Sequence, residues 1–440
     1  MTKRIPGFSL SLLILFLSFH STPAQAQKPA DNHVFGGYFE EWDVRYSGYT
    51  MATLEKTGVA AKLTHLIYAF GNVTPGPSPA CAIDDPHAAW QDASILAING
   101  KPYSGSVHGN FAGILELKAL HPQLKTLISL GGQAGDVSGF TLSAASPTAR
   151  RALAASCINL FVKGHLAPGV EAPGLFDGFN IDWEFPLAAD RENFTALLHE
   201  FRTQLDELGR STGRHYILTF DSPANPQRYA NIDLKAAAAE VDFLTIDGYD
   251  YAAPDEKTTN ASSALYNSPA DPLHDKARAI DDTVQAYLKA GVPAAKYTMG
   301  LPLYGIGWSG VSDQNHGLYQ SAAREAPVFL SNGRAPCPTQ SKQAPSPGCD
   351  TILTPGFATD RTLTQLLRRP DARFWYDPAR QGATLYLTTS RTFYTFDNLR
   401  SIAAKTAYIH QHKLRGAYVW ALNDDDTQAT VTNAIAAGLE

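Results

Sequence analysis

Asp177-Gly178-Phe179-Asn180-Ile181-Asp182-Trp183-Glu184 is the stretch on which the fold turns. Successive side chains of a strand point to opposite faces. Asn180, Asp182 and Glu184 therefore share one face, and Phe179, Ile181 and Trp183 share the other. A strand of a parallel barrel packs its outer face on helices and fills the interior with Val, Ile or Leu. Here the outer set is apolar and the inner set is polar. Two acids and an amide inside a barrel are costly unless they bond to each other or to a ligand. Such a local departure is expected where function lies. Glu184 stands at the carboxyl end of the run, just before Pro186, and that end is the catalytic mouth of such barrels. A purely structural polar network would give the same inversion, so the pattern alone marks a place and not a reaction.

Outward from this strand, apolar strand-like runs alternate with helical ones. The strand candidates are Val34–Phe39, Thr64–Phe70, Lys125–Leu130, Gly178–Glu184, Tyr216–Asp221, Asp242–Asp247, Tyr297–Tyr304 and Gly416–Leu422. Helical stretches such as Arg191–Leu208 and Ile280–Ala290 lie between them. Alternation argues for a parallel sheet, and eight units argue for closure into a (β/α)₈ TIM barrel. The interval between Tyr304 and Gly416 is too long for one unit. Its first part, Trp308–Pro355, is rich in Gly, Pro, Ser and Gln, and its second, Arg373–Phe396, is aromatic and β-branched. We read 309–395 as a small α+β insertion between barrel strands 7 and 8, since those aromatics argue against a disordered loop.

Of the 440 residues, 44% are hydrophobic and 18% charged, which is globular composition with enough chain for a large core. Lys3 and Arg4, the apolar run Phe8–Phe19 and Ala24-Gln25-Ala26 form a secretory signal over 1–26. The run is short for a membrane span. A secreted (extracellular or periplasmic) chain, 27–440, is expected, free of the membrane. The net charge is −6, and loss of Lys3 and Arg4 makes it more negative. No basic stripe is present, so nucleic acid is excluded as an expected partner and a neutral substrate fits better. A monomer is expected. Export permits disulfides among Cys81, Cys157, Cys337 and Cys349, with three possible pairings. A Cys337–Cys349 bridge would tie down one loop and leave Cys81–Cys157. The spacing matches no zinc site, and neither metal nor cofactor is expected.

With these motifs in view, the chain resembles the chitinase family, family 18 of the glycoside hydrolases. Asp177, Asn180, Asp182 and Glu184 occupy the places of its Asp-x-x-Asp-x-Asp-x-Glu signature. In order along the chain, Tyr38-Phe39-Glu40-Glu41-Trp42, Leu63–Phe70, Ser129-Leu130-Gly131-Gly132, Tyr249-Asp250, Tyr304–Trp308 and Gly416–Asp426 resemble further family segments. The resemblance implies hydrolysis of β-1,4 bonds in N-acetylglucosamine polymers, in the substrate-assisted, retaining manner of this family. In that scheme the 2-acetamido oxygen attacks its own anomeric carbon. Glu184 would be general acid and then base, Asp182 would hold the acetamide N–H, and Tyr249 the acetamide oxygen. Trp420 would floor the sugar. Tyr38, Phe70, Gly131, Gly132 and Asp250 are the remaining substrate-side candidates. Several have plainer readings: Gly131 and Gly132 as turn formers, Phe70, Tyr249 and Trp420 as core.

Four positions depart from the family pattern. Asn180 replaces the middle aspartate, and an amide cannot hold a parked proton, although it can bond Asp182. Gln133, Asp247 and Ile306 replace the usual tryptophan, methionine and arginine. They leave the acid in place and alter the subsite contacts. Two other activities compete: an endo-β-N-acetylglucosaminidase acting on N-glycans, and an inactive sugar-binding barrel. Products separate the first from a chitinase, and the presence of Asp182 and Glu184 weighs against the second.

Overall fold

Eight strands close into a parallel barrel: β1 Val34–Glu40, β2 His65–Thr74, β3 Lys125–Gly131, β4 Gly178–Asp182, β5 Ile217–Ser222, β6 Phe243–Ile246, β7 Tyr297–Pro302 and β8 Gly416–Trp420. Each pairs in parallel with its sequence neighbours, and β1 closes the ring by pairing with both β2 and β8. The computed structural model describes residues 1–2, 33–75, 78–132, 137–273, 276, 278–329 and 355–440, of which His33–Glu440 form one unit. The expected signal run Phe8–Phe19 and its cleavage site, Gln133, Cys337 and Cys349 lie outside the described residues. Among the described residues no helix is long and apolar enough to cross a membrane.

Helices coat the barrel because the outer strand faces are apolar. Arg191–Thr212 presents Phe194, Leu197, Leu198, Phe201 and Leu205, spaced by three and four, to the sheet. Gly213 ends it in the left-handed region at φ 70°. Phe179, Ile181 and Trp183 are buried in this outer core. Trp183 stacks on Phe140 with centroids 5.4 Å apart. The barrel interior belongs to a separate cluster that includes Val34, Ile67, Leu127 and Phe243 and runs on to Trp308 and Phe393 of a second sheet.

The run expected as one strand over Tyr297–Tyr304 breaks after Pro302. The Leu303 N–H bonds the Trp420 carbonyl, and the chain leaves the barrel. Tyr304–Ser309 instead joins a second, mainly antiparallel sheet with Arg324–Glu325, Phe357–Thr359, Ala372–Asp377, Gly382–Leu387 and Thr392–Phe396. With the helix Asp360–Leu366, this is the α+β insertion between β7 and β8. The sheet starts at Tyr304, upstream of Ser309, because Ile306–Ser309 pair with Thr392–Thr395 and so depend on a partner over 80 residues away. Cys81 and Cys157 form a disulfide that ties the strand Ala80–Ile83 to the helix Pro147–Cys157.

Candidate active site

The polar face of β4 points inward, and its lowest member is fully buried. Asn180 uses both ends of its amide. Oδ1 accepts from the Tyr38 hydroxyl at 3.0 Å and from Ser129 Oγ at 2.8 Å. Nδ2 donates to Thr245 Oγ1 at 3.2 Å. A neutral group with three partners avoids the desolvation cost that a charge would meet there. Tyr38 is itself only 1% exposed. Its hydroxyl is committed to this network, so it positions Asn180 while its ring packs 5.0 Å from that of Trp420.

Asp182 stands one tier higher, still buried, and its Oδ1 has no hydrogen-bond partner among the described residues. Burial pushes its carboxyl well up, and the charges of Glu184 and Asp247 add to this. Glu184 follows the strand end at Asp182 and is half-buried at the mouth. Phe70 and Trp420 line the same rim with stacked rings 5.7 Å apart. The Tyr249 hydroxyl lies 3.3 Å from that of Tyr418. Asp250, at φ 58°, accepts from the Tyr304 hydroxyl at 2.7 Å. The peptide bonds after Ala69, Glu184 and Trp420 are cis.

Gly131 and Gly132 explain how β3 meets this strand. Gly131 has φ 116°, and a Cβ there would lie 2.1 Å from the Asp182 carbonyl oxygen. The Gly132 N–H donates to that same oxygen at 2.9 Å. A Cβ on Gly132 would lie 2.6 Å from the Phe70 ring. The pair thus permits a close approach that sets the rim. Asp177, first residue of the motif, lies at the opposite end of β4. It pairs with Lys118 at 2.6 Å and Arg214 at 2.7 Å and accepts from the Thr126 N–H. Its role is to anchor the strand.

Three inward groups were not singled out from sequence: Asp221, Thr245 and Tyr418. Thr245 Oγ1 donates to Asp221 Oδ1 at 3.1 Å, and the Tyr418 hydroxyl lies 3.0 Å from Asp247 Oδ1. Burial and then Asp247, Asp182 and Glu184 push the Asp221 carboxyl well up. Burial, followed by Glu184, pushes the Asp247 carboxyl up as well. The signal was present, since Thr219-Phe220-Asp221 and Thr245-Ile246-Asp247 repeat the polar-apolar alternation of β4. Ile306, in the place of the expected arginine, is buried at 1% exposure. Among the described residues no group of three or more His, Cys, Asp or Glu could hold a metal ion.

The fold and mouth define a (β/α)₈ barrel protein whose mouth is acid-lined and aromatic-rimmed. The sequence pattern of glycosyl hydrolases family 18 matches residues 34–425. Chitinase A1 of Niallia circulans is 29% identical over 99% of this chain and 62% of its own length. Chitinase B of Serratia marcescens is 31% identical over 86% of this chain and 76% of its own. The catalytic domain of psychrophilic chitinase B from Arthrobacter TAD20 superposes with a TM-score of 0.80 at 28% identity, over 93% of this chain and 95% of that one. The chain spans less than two thirds of the length of Chitinase A1, and 28% of Chitinase ChiA of Flavobacterium johnsoniae. It belongs to glycosyl hydrolases family 18.

Proposed function

We propose that this chain hydrolyses β-1,4 bonds in N-acetylglucosamine polymers or oligomers with retention of configuration, by substrate-assisted catalysis. The observation that carries the reading is the pairing of Glu184 at the rim with a buried Asp182 whose Oδ1 has no protein partner among the described residues. A buried acceptor is costly to leave unmade, and an acetamide N–H is the donor that would complete it. Glu184 protonates the leaving oxygen and then takes the proton from the incoming water. The acetamide oxygen displaces the leaving group from its own anomeric carbon and forms a cationic oxazolinium ring. The acetamide N–H becomes a stronger donor to Asp182 as that cation develops, so the contact favours the intermediate over the ground state. The buried Tyr249 hydroxyl stays protonated, because burial and the charges of Asp247 and Asp221 raise it well above its usual value. It can therefore donate to the acetamide oxygen and fix it for attack. Trp420 and Phe70 supply the apolar floor and wall against a sugar ring, with Asp250 as a polar contact. Gly131 and Gly132 shape this wall.

The same reading includes export through residues 1–26, a setting in which the Cys81–Cys157 disulfide persists. It also takes the mature chain to act as a monomer. The test is turnover of a fluorogenic N-acetylglucosamine oligomer. Glu184→Gln should lower kcat by about 10²–10⁴-fold while leaving oligomer binding in place. Tight binding by the wild type without turnover, or full activity in the variant, would sink the assignment. Chitooligosaccharide products, as against released N-glycans, identify the substrate class.

A further inference from the structure

We propose that Asp221, Tyr418 and Asp247 form a proton-sharing triad that presents one negative charge to Asp182 and Glu184, the charge that Asn180 does not carry. The proposal rests on the reading of Glu184 as proton donor.

Three strands, two of them neighbours and the third beyond β7, send polar groups to one spot inside the barrel. Asp221 comes from β5, Asp247 follows β6, and Tyr418 comes from β8. The Tyr418 hydroxyl lies 3.0 Å from Asp247 Oδ1 and 3.4 Å from Asp221 Oδ1. It has one proton to give. With both acids ionised, one carboxylate oxygen would face a lone pair of the phenol oxygen. With one proton on the pair, a protonated Asp221 donates to the phenol oxygen and the phenol donates to Asp247, or the order reverses. Either arrangement satisfies all three groups and leaves a single charge. The space for them is built in. A Cβ on Gly300 of β7 would lie 2.6 Å from the Tyr418 hydroxyl oxygen and 2.9 Å from the Tyr249 ring.

The surroundings keep that proton in place. Thr245 donates to Asp221 and accepts from the Asn180 amide. An amide at 180 gives a hydrogen bond here and cannot take the proton away. The carboxyls that face the pair are Asp182 from β4, Glu184 just after it and Asp250 after β6. The phenols around it are Tyr38 from β1, Tyr249 after β6, Tyr251 in the following loop, Tyr287 from the helix Ile280–Lys289, Tyr297 from β7 and Tyr304 from the insertion sheet. Among the described residues no lysine, arginine or histidine pairs with either acid. Like charges without a cation cannot both ionise at low cost, and burial acts in the same direction.

One retained negative charge favours the protonated form of a nearby general acid and stabilises a cationic intermediate. Asp221 and Asp247 are thus positioning residues that act through Glu184 and Asp182. The test uses the whole chain and a soluble fluorogenic N-acetylglucosamine oligomer. In Asp221→Asn or Asp247→Asn, the remaining acid ionises and keeps the charge. The basic limb of the kcat/KM profile then stays within a few tenths of a pH unit of wild type. In the double variant the charge is gone, and the limb falls by about one pH unit. A double variant whose limb coincides with that of the wild type overturns the proposal. Infrared difference spectra at neutral pH read the proton without turnover. Each single variant should lose one protonated-carboxyl band relative to wild type, and retention of every such band overturns the proposal as well. If the double variant does not fold, Tyr418→Phe retains both acids and removes the bridge. The band should then shift, and an unmoved band counts against the triad. A wild type with no turnover would overturn the glycosidase reading, while the infrared result would still decide whether the proton is shared.

Discussion

Asn180→Asp converts the amide tier of the barrel into a third acid on β4. The new carboxylate would inherit the Tyr38 and Ser129 donors at Oδ1. Its other oxygen would face Thr245, whose hydroxyl can turn toward it. Three donors favour the ionised form. At about 3.3 Å per residue, position 180 lies about 13 Å from position 184 along the strand. With an effective dielectric of about 20, a unit charge at that distance contributes about 1.3 kcal/mol, or about 0.9 pH unit. The sign is fixed by the role of Glu184: an added negative charge favours its protonated form, and a general acid works only when protonated. The basic limb of kcat/KM should therefore rise by about half to one pH unit. Thr245 can give its proton to only one acid, so its bond to Asp221 is lost and stability falls by about 1 kcal/mol. The assay is a kcat/KM profile on a soluble oligomer over the full pH range of stability, with thermal melts alongside. Superimposable profiles in a folded variant refute the reasoning, because they mean either that the introduced carboxyl stays protonated or that Glu184 is not the group in the basic limb.

Two further substitutions test the frame around the site. Gly132→Ala places a Cβ within 2.6 Å of the Phe70 ring at φ 83°; it should cost about 1–3 kcal/mol and raise KM as Phe70 moves against Trp420, and an unchanged KM in titrations would show that this wall does not touch substrate. Asp177→Asn removes the carboxylate shared by Lys118 and Arg214. Arg214 is half-exposed and adds little, so the loss comes mainly from Lys118 and should be about 2 kcal/mol in urea unfolding. Its kcat/KM should match wild type, and an activity loss without a stability loss would place Asp177 in the chemistry.

The barrel was legible because its outer face repeats. Phe179, Ile181 and Trp183 announced a helix-covered sheet, and apolar strand-like runs alternated with helical ones along the chain. The start of the insertion sheet was not legible, since Tyr304 continues the apolar run of β7 and only pairing with Thr392–Thr395 shows where it belongs. Glu184 could be placed at the mouth from its strand end, and Trp420 only through the family resemblance. The tier beneath them could not. A polar residue in an inner position reveals its face, but not which neighbour it meets across the barrel, and Asp221, Thr245 and Tyr418 meet only after closure. From sequence, Asn180 therefore looked like a missing acid. In the closed barrel the same interior holds Asp221 and Asp247, and the amide bonds through Thr245 toward the first of them. The acid count of β4 alone is then the wrong measure of the site's charge. The relevant quantity is the number of protons held by the whole ring of inward carboxyls, and a single strand cannot specify it.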